Sequence, residues 1–413
     1  MKILVFGLGS AGDVHPNAGL GLALQERGHR VVLAAASVFE PLARRLGLDF
    51  AGAGTEGEYN DAIQDPDLWH PWRSFNVVAN RLMLPWMRKT YEMIANAWES
   101  GRIVVAAPAT ALGARIAQEK LGVPLATVHL QPSMLRSLVQ PSCYGFPDII
   151  GALPHWLREP YMRLVDRQII DRPLARSVNA FRAELGLPPV RRLFNEWIHS
   201  PELVIGMFPP WFAPPPPDWP PNVHLTGFPL YDEREARQIQ PELEDFLRMG
   251  EPPIVFTAGS AMAQGKEFFS VSAEVCRIRG WRGILLTQYP EQLGTLPDSV
   301  RHFNYVPFST VLPRAAAFVH HGGIGTTAQA LAAGVPQLVV PFAHDQPDNA
   351  VRVRRLGTGD YVRPKDYQAN RVVRKLEALM GSTDIRENCR LRAEALANST
   401  ALNSACELIE RLD

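Results

Sequence analysis

Apolar residues along this chain alternate between short continuous runs and longer segments in which they recur every three or four positions. The short runs predict β-strands, and the periodic segments predict amphipathic helices. In the first half the predicted strands are Ile3–Phe6, Val31–Ala35, Ile103–Ala107 and Leu125–His129, with helices at Pro16–Arg27 and Ala111–Leu121. Strands that alternate with helices in this way favour a parallel sheet covered by helices on both faces, which is an α/β architecture.

The same alternation returns in the second half of the chain. There the predicted strands are Ile254–Thr257, Gly283–Thr287, Ala316–Val319 and Gln337–Pro341, the helices are Lys266–Arg279 and Thr326–Ala333, and the tail Ile385–Leu412 is helical in pattern. Between the two series lies the proline-rich segment Pro209–Pro229, which is typical of a stiff linker. We therefore expect two domains, 1–215 and 233–395, a linker at 216–232, and a C-terminal helix at 396–413 that packs back on the first domain.

Composition narrows the classes of partner. The 413 residues contain 42 Lys plus Arg and 42 Asp plus Glu, so overall charge gives no reason to expect nucleic acid. The four cysteines form no CxxC pair and suggest neither disulfides nor zinc. The first apolar run is too short for a signal peptide, and no window is long enough for a transmembrane helix. These features predict a cytoplasmic protein with at most transient contact with a membrane surface.

Residues 320–349, HHGGIGTTAQALAAGVPQLVVPFAHDQPDN, carry the strongest chemical signal. A strand, a glycine turn and a helix start bring free N–H groups and the positive end of the helix dipole together, which favours an anion. Asp345 and Gln346 follow the next strand, so they should lie at the same edge of the sheet, where open α/β sheets bind ligands. A phosphate site beside hydroxyl-binding groups suits a nucleotide sugar.

Two further residues are candidates for the same site. His321 begins the glycine turn and can donate a hydrogen bond to a diphosphate, although it could also simply end the strand. Ser260 follows the first strand of the second half, where it either contacts phosphate or belongs to an ordinary strand–helix turn.

The N-terminal turn, GLGSAG, matches GxGxxG and by itself suggests a dinucleotide-binding oxidoreductase. Two features oppose that interpretation. The second strand ends in Ala34-Ala35-Ala36-Ser37, without the acidic residue that would bind a ribose. In addition, Asp13 follows the last glycine, where its carboxylate would repel a pyrophosphate.

Asp13 itself has two interpretations. It is either a helix cap or a catalytic base that the helix dipole keeps ionised at neutral pH. His15, two residues further on, is the other candidate base, and its residue type alone favours a structural role.

The segment from Leu68 to Trp98 is rich in aromatic residues and methionine and predicts helices. Its apolar side chains either pack a core or line a pocket for an apolar acceptor. The candidate acceptor residues are Trp69, Phe75, Met83, Met87 and Met134. The nearby Asp65-Pro66-Asp67 matches the DxD pattern of some metal-dependent transferases, but it lies in a polar loop and predicts a turn. We expect no metal site, with the diphosphate neutralised by the helix dipole and N–H groups.

Several stretches resemble the family 1 glycosyltransferases of GT-B fold over essentially the full length of the chain. The stretches that carry the resemblance are GSAGDV near the N-terminus, DPDLW, ALGARIAQEKLGVP, FPPWFAPP with DWP, TGFPL, GGIG with ALAAGVPQ, and AHDQPDNA. Within the family the likeness is greatest to the bacterial rhamnosyltransferases of mono-rhamnolipid synthesis.

The resemblance implies two Rossmann-like domains that face each other across a cleft, the first binding the acceptor and the second the nucleotide sugar. It implies inverting transfer with Asp13 as the base, while Ala107 stands where many members have an Asp that orients a histidine base. His321 and Thr326 would hold the diphosphate, with Gly323 and Gly325 in the same turn. Asp345 and Gln346 would bind sugar hydroxyls, Gln329 falls where plant members have a ribose-binding Glu, and Tyr305 with Val306 falls at the nucleobase.

The leading hypothesis is therefore transfer of rhamnose or glucose from a dTDP- or UDP-sugar to a hydroxyl of an apolar acceptor, with no further cofactor. A hydroxy-fatty-acid acceptor is the first expectation, and phenolic or other secondary-metabolite acceptors are the alternative. A 2-epimerase of the same architecture and an NAD-dependent oxidoreductase are less favoured alternatives.

Overall fold

A computed structural model of the chain describes residues 1–234 and 239–412. They separate into two compact units, which we call the first unit (1–229 together with the C-terminal residues from 400) and the second unit (230–399). The expected first-domain end at 215 therefore falls short of the compact unit, which extends to residue 229.

The first unit is built on a parallel sheet. Among the described residues its strands are β1 (Lys2–Phe6), β2 (Arg30–Ala36), β3 (Asp49–Gly54), β4 (Ile103–Ala107), β5 (Leu125–His129), β6 (Leu203–Gly206) and β7 (Val223–Leu225). All neighbouring strands are parallel and their order is β3-β2-β1-β4-β5-β6-β7. β1, β4 and β5 are buried almost throughout, as expected for strands covered on both faces.

Helices connect these strands. They are α1 (Ala11–Glu26), α2 (Glu40–Arg45), α3 (Glu56–Gln64), α4 (Ser74–Val78), α5 (Leu84–Glu99), α6 (Leu112–Leu121), α7 (Ile149–Ala152), α8 (His155–Val165) and α9 (Arg172–Glu184). The expected helices of the aromatic segment are therefore present as α4 and α5, joined by a π-helical turn at Ala79–Met83.

The second unit repeats the architecture. Its strands are β8 (Ile254–Thr257), β9 (Gly283–Leu286), β10 (Val300–Phe303), β11 (Ala317–His320), β12 (Gln337–Val339) and β13 (Gly359–Tyr361). Its helices are α10 (Pro241–Arg248), α11 (Lys266–Arg279), α12 (Phe308–Val311), α13 (Ile324–Ala333), α14 (Gln346–Arg355), α15 (Ala369–Gly381) and α16 (Thr383–Ala397). The strand order is β10-β9-β8-β11-β12-β13, all parallel.

Both sheets have the strand order of a Rossmann fold, in which the chain reverses direction across the sheet after the third strand. The reversal point lies between β1 and β4 in the first unit and between β8 and β11 in the second. The predicted α/β class with two doubly wound, Rossmann-like domains is thus confirmed. The loops that follow these four strands are where such sheets bind ligands.

Helix α1 begins at Ala11 rather than at the expected Pro16, because a capping box starts it earlier. The hydroxyl of Ser10 accepts from the N–H of Gly12, while the Asp13 carboxylate accepts from the N–H of Ser10. Pro16 therefore lies inside the helix, and Asp13 and His15 lie in its first turns.

The proline-rich segment is not simply a linker. Val223–Leu225, within the expected linker 216–232, pairs with β6 as the last strand of the first sheet. Phe212 and Phe228 are almost completely buried, with ring centroids 5.1 Å apart. Apolar side chains among the prolines thus anchor the segment to the first unit.

The C-terminal tail forms two helices instead of one. α16 ends at Ala397, and α17 (Ala401–Glu410) packs on α1 as part of the first unit. Glu410 accepts hydrogen bonds from Arg27 at 2.7 Å and pairs with His29 at 2.8 Å. Among the described helices, none is both long and apolar enough to cross a membrane.

Candidate functional site

The loops at the carboxyl edge of the second sheet bring most of the predicted donor-binding residues to one side of the second unit. This edge is formed by the loops that follow β8, β10, β11 and β12, and the residues on it are Ser260, Tyr305, Val306, His321, Gly323, Gly325, Thr326, Asp345 and Gln346. Gln329 lies further along α13 and is buried. These residues therefore lie at one edge of the second sheet, where several of them have structural roles, and their binding of a donor stays a prediction.

His321 lies between two glycines. A β-carbon added to Gly259 would come within 2.9 Å of its Nε2 atom, and one added to Gly323 within 2.5 Å. Burial lowers the pKa of His321 to about 4, so the imidazole is neutral at pH 7. Its Nδ1 atom is buried, and no described residue hydrogen-bonds to it. A neutral imidazole with an unsatisfied nitrogen at a helix start can hydrogen-bond a phosphate oxygen.

His320, in contrast, is structural. It is fully buried, and burial lowers its pKa to about 3. Its Nδ1 accepts the N–H of Gly322 at 3.1 Å, so its Nε2 carries the hydrogen that is donated to Gln337 Oε1 at 3.0 Å. The sequence alone offered no reason to separate the two histidines, because only the fold shows that one points into the core.

Asp345 caps helix α13. Its Oδ2 atom accepts the N–H of Ile324, the first helical residue, at 3.1 Å. A carboxylate is favourable there for the same electrostatic reason as a phosphate. The N–H groups of Gly323, Gly325 and Thr326 belong to the same helix start. Asp345 thus holds the first helical N–H of α13.

Gln346 is buried and its amide oxygen accepts the N–H groups of Phe342 at 2.7 Å and Ala343 at 3.2 Å. Its oxygen is therefore committed to the loop before α14. Asn349, which our sequence-based reasoning missed, donates from Nδ2 to the Asp345 carboxylate. Its position three residues after Gln346 in a helix was the available signal.

Tyr305 and Val306 are the nucleobase candidates, and Tyr305 is bonded to the start of the second unit. The hydroxyl of Tyr305 donates to the backbone carbonyl of Asp232 at 2.8 Å. Val306 is 5% exposed and its side chain belongs to the core, so only its backbone is left for a contact with a base, and its place at the nucleobase stays a prediction. Ser260, the candidate for phosphate contact, is exposed. Its backbone carbonyl accepts a hydrogen bond from Gln288 at 2.6 Å.

Asp13 lies in the first turn of α1, the helix that follows β1 at the reversal point of the first sheet. Its Oδ2 atom accepts from the N–H of Ser10 at 2.8 Å and from the Ser10 hydroxyl at 3.2 Å. Burial raises the pKa of Asp13 to about 6, and the two bonds from Ser10 oppose that rise. The carboxylate is therefore mostly ionised at pH 7 yet basic enough to accept a proton, as general-base catalysis requires. Burial therefore has a larger effect on this pKa than the hydrogen bonds from Ser10.

The Asp13 carboxylate explains the glycine before it. Gly9 has a φ of 140°, and a β-carbon on it would lie 2.2 Å from Asp13 Oδ2. The GxGxxG turn therefore makes room for a carboxylate of the chain itself, which occupies the N–H group of Ser10. His15, two residues after Asp13, is partly buried in α1.

The acceptor candidates divide into two groups. Met83 and Met87 are each 6% exposed and belong to a hydrophobic core between the helices of the first unit, so the prediction that they line a pocket is wrong. Phe75 and Met134 are partly buried against the same core. Trp69 is partly buried in the short 3-10 turn Pro66–Trp69. Phe75, Met134 and Trp69 thus remain candidates for acceptor contact.

The Asp65-Pro66-Asp67 segment forms the predicted turn. Asp65 Oδ1 accepts the N–H of Asp67 at 3.0 Å. Arg73 lies 3.2 Å from Asp67 and Arg81 3.7 Å from Asp65, so both carboxylates face arginines.

Comparison with known proteins identifies the family. Residues 283–411 match the C-terminal domain of the erythromycin biosynthesis protein CIII-like family, and residues 3–140 match the glycosyltransferase family 28 N-terminal domain. The O-mycaminosyltylonolide 6-deoxyallosyltransferase of Streptomyces fradiae is 34% identical to the chain over 437 residues, covering 99% of this chain and 97% of that protein. The chain is a family 1 glycosyltransferase.

Solved structures support the fold of this glycosyltransferase. The glycosyltransferase of kitacinnamycin superposes with a TM-score of 0.74 at 21% identity, covering 100% of this chain and 98% of that one. The spinosyn rhamnosyltransferase SpnG superposes with a TM-score of 0.70 at 18% identity, covering 99% of this chain and 100% of that one.

A further relative is known from its sequence. The sterol 3-beta-glucosyltransferase of Pichia angusta is 28% identical over 97% of this glycosyltransferase, which spans 33% of that longer protein.

Family membership decides between the readings of the N-terminal turn. The glycosyltransferase has a GxGxxG sequence without the dinucleotide function it suggests by itself, and its own Asp13 stands at the helix start. The NAD-dependent oxidoreductase is thereby set aside.

Proposed function

We propose that this glycosyltransferase transfers a hexose with inversion from a dTDP- or UDP-sugar to a hydroxyl of an apolar small molecule, with Asp13 as the general base. The observation that carries the proposal is the Asp13 carboxylate at the reversal point of the first sheet, with a pKa raised by burial to about 6. The carboxylate accepts the hydroxyl proton while the acceptor oxygen attacks the anomeric carbon. The bond to the nucleoside diphosphate then breaks on the opposite face of the sugar.

The second unit supplies the donor contacts in this proposal. The diphosphate lies against the N–H groups of Gly323, Gly325 and Thr326, where the positive end of the α13 dipole stabilises the leaving charge. His321 adds a hydrogen bond from a neutral, partly buried imidazole. Asp345, fixed beside the helix start by its bond to Ile324, binds sugar hydroxyls, as does the amide of Gln346. No metal ion or further cofactor takes part in the proposed chemistry.

An aspartate base suits a site without an orienting partner. Ala107, at the end of β4, has no polar group to orient a histidine. A carboxylate needs no fixed tautomer, and Ser10 already holds one of its oxygens. His15 is a neighbour of the base in this scheme.

For the acceptor and sugar we propose a hydroxy-fatty-acid type acceptor and rhamnose, with glucose as the second sugar. The resemblance to the rhamnosyltransferases of mono-rhamnolipid synthesis supports both. The partly buried Phe75 and Met134 support an apolar acceptor.

A secondary-metabolite acceptor is the second candidate. A specific observation favours it, because the relative at 34% identity is named for transferring 6-deoxyallose to O-mycaminosyltylonolide. The spinosyn rhamnosyltransferase shares the fold and has been solved with thymidine diphosphate. The sugars in the names of these two proteins, 6-deoxyallose and rhamnose, are both deoxyhexoses, which supports a dTDP-linked donor.

A mass-spectrometric screen tests the proposal. It pairs dTDP-rhamnose and UDP-glucose with a hydroxy-acyl acceptor, a macrolide aglycone and a phenol, using wild-type protein and Asp13→Asn. We expect one pair to give a product with inverted anomeric configuration, formed by the wild type alone. Release of an epimerised sugar without acceptor would support the 2-epimerase alternative, and full transfer by Asp13→Asn would rule out the assigned base.

A further inference from the structure

Asn349 joins two parts of the second unit that meet at the start of α13. It lies in the first turn of α14 and is fully buried. Its Nδ2 atom donates to the carbonyl of Gly322 at 2.9 Å and to Asp345 Oδ2 at 2.7 Å. One amide group thus contacts both the glycine turn that carries His321 and the carboxylate that caps the helix.

The turn and the carboxylate depend on this amide to different degrees. Gly322 is also held from its other side, because its N–H donates to the buried His320. The Oδ2 atom of Asp345 also accepts the N–H of Ile324 at 3.1 Å, a longer contact than the 2.7 Å from Asn349. The amide of Asn349 is thus the nearer of these two donors to the carboxylate.

We propose that Asn349 is a positioning residue for the donor sugar, acting through Asp345. Its amide holds the Asp345 carboxylate against the first N–H of α13, which fixes where that carboxylate meets the sugar hydroxyls. This inference rests on the proposed function, in which Asp345 binds the sugar and the helix start binds the diphosphate. A residue in this role affects binding of the donor sugar, whereas a residue that only stabilises the fold does not.

The positioning role predicts different effects on the affinity for nucleotide sugars and on the affinity for nucleoside diphosphates. A nucleoside diphosphate contacts the helix start, whereas a nucleotide sugar also uses Asp345. In Asn349→Ala we expect the Kd for dTDP-rhamnose or UDP-glucose, whichever the wild type binds, to rise about tenfold or more, the effect of losing a hydrogen bond to a charged group. The Kd for the matching dTDP or UDP should rise less than about threefold, and the acceptor KM should stay within about twofold of wild type.

A matched control is available in the first unit. Asn179 is another helical asparagine that bridges backbone groups, donating to the Val190 carbonyl at 3.0 Å and accepting its N–H at 2.8 Å. Asn179→Ala should lower the melting temperature without changing any ligand affinity. A purely structural Asn349 would behave in the same way, and that result would overturn the inference.

A double-mutant cycle tests the route through Asp345. In an Asp345→Asn background, Asn349→Ala should change nucleotide-sugar affinity by less than about twofold, because the carboxylate it positions is gone. Full additivity of the two changes would contradict the inference. Should Asn349→Ala fail to fold, Asn349→Ser, which keeps one donor on a shorter side chain, is measured in the same cycle with the same expected split. If the wild-type protein binds no nucleotide sugar at all, the proposed function itself fails. If wild type and Asn349→Ala bind the nucleotide sugar with equal affinity, only the inference about Asn349 fails.

Discussion

The imidazole of His321 lies against Gly259 so closely that a β-carbon on the glycine would come within 2.9 Å of Nε2. The glycine belongs to the turn after β8 and the histidine to the turn after β11, the two strands at the reversal point of the second sheet. The two turns therefore pack closely, and the imidazole occupies space that a side chain on Gly259 would need.

Gly323→Ala tests this packing more cleanly than Gly259→Ala. Gly323 has a φ of −58°, which alanine adopts without strain, whereas Gly259 has a φ of 98°. The added methyl group would sit 2.5 Å from His321 Nε2, so the ring must shift. We expect the Kd for a nucleoside diphosphate to rise about tenfold, consistent with loss of a hydrogen bond to a charged group, as measured by calorimetry.

The control for that substitution is Gly294→Ala. No atom lies within 4 Å of the β-carbon it would add, and its backbone is outside the left-handed region. Unchanged affinity is expected there. If Gly323→Ala binds as tightly as Gly294→Ala, His321 has no part in phosphate binding.

Asp13→Asn should reduce kcat by about 10²- to 10⁴-fold, the usual contribution of a general base, while leaving donor Kd nearly unchanged. Gly9→Ala should have a similar but structural effect, because its β-carbon would displace the carboxylate. Steady-state kinetics with both substrates varied, together with donor titration, separates loss of chemistry from loss of binding. A donor Kd that rises in parallel with the loss of rate would place Asp13 in binding instead.

The rate of transfer should depend on pH through Asp13. Because the base must be ionised and its pKa is raised to about 6, kcat/KM should fall as the pH drops below 6. Ser10→Ala removes the hydroxyl that lowers the Asp13 pKa, so the fall should begin at a higher pH. A pH–rate profile of both proteins measures the shift, and coincident profiles would show that Ser10 does not tune the base.

Buried histidines should make the fold sensitive to acid. Burial lowers the pKa of His199 to about 4, and it lowers the pKa of His129, His320 and His321 as well. An unfolded histidine titrates near 6.5, so between pH 6.5 and 4 the unfolded chain binds protons that the folded chain does not. The free energy of unfolding is therefore greatest above pH 6.5 and decreases as the pH falls. Asp13, Asp166 and Asp171, whose pKa values are raised by burial, act in the opposite direction.

Urea unfolding at pH 7.5, 5.5 and 4.5 measures this decrease. His199→Asn should flatten it, because His199 forms a buried pair with His129 at 3.0 Å. His224→Asn, at an exposed histidine, should leave the slope as in wild type. Equal slopes in all three proteins would mean that the buried histidine pair does not control acid stability.

The C-terminal helix should be held more by apolar packing than by its ion pairs. Ile409 is fully buried, and Ile409→Ala should cost about 2–5 kcal/mol of the free energy of unfolding. Glu410→Gln removes the carboxylate that pairs with Arg27 and His29. All three side chains are partly exposed, so the substitution should lower the free energy of unfolding by only about 0–1 kcal/mol. Chemical denaturation compares the two, and a larger effect at Glu410 would reverse the ranking.

Acceptor selection should respond to the partly buried residues and not to the core methionines. Phe75→Ala and Met134→Ala should change the acceptor KM and the preference between acceptors. Met87→Ala should lower the melting temperature, because it opens a cavity in a packed core, while leaving the acceptor preference in place. Competition between two acceptors in one reaction is the direct measurement. A changed preference in Met87→Ala would return that residue to the acceptor site.

Local sequence determined the strand, turn and helix units that carry the chemistry. The run from His320 to Asn349 specifies a buried strand, a glycine turn and a helix start through near neighbours alone, and the resemblance read from it agreed with the family that the comparisons show. The start of α1 at Ala11 was also local, since Ser10 and Asp13 are spaced as a capping box that sequence reasoning could have read. Such features depend on residues a few positions apart, whose geometry the backbone itself sets.

Only the tertiary structure decided which of two chemically similar residues lies in the core and which is partly exposed. His320 and His321 are adjacent, yet one is bonded to Gln337 and the other packs against Gly259. Met87 and Met134 have the same side chain, yet only the first is a full core residue. These outcomes depend on contacts between segments distant in sequence, which the order of apolar and polar residues along one segment does not contain.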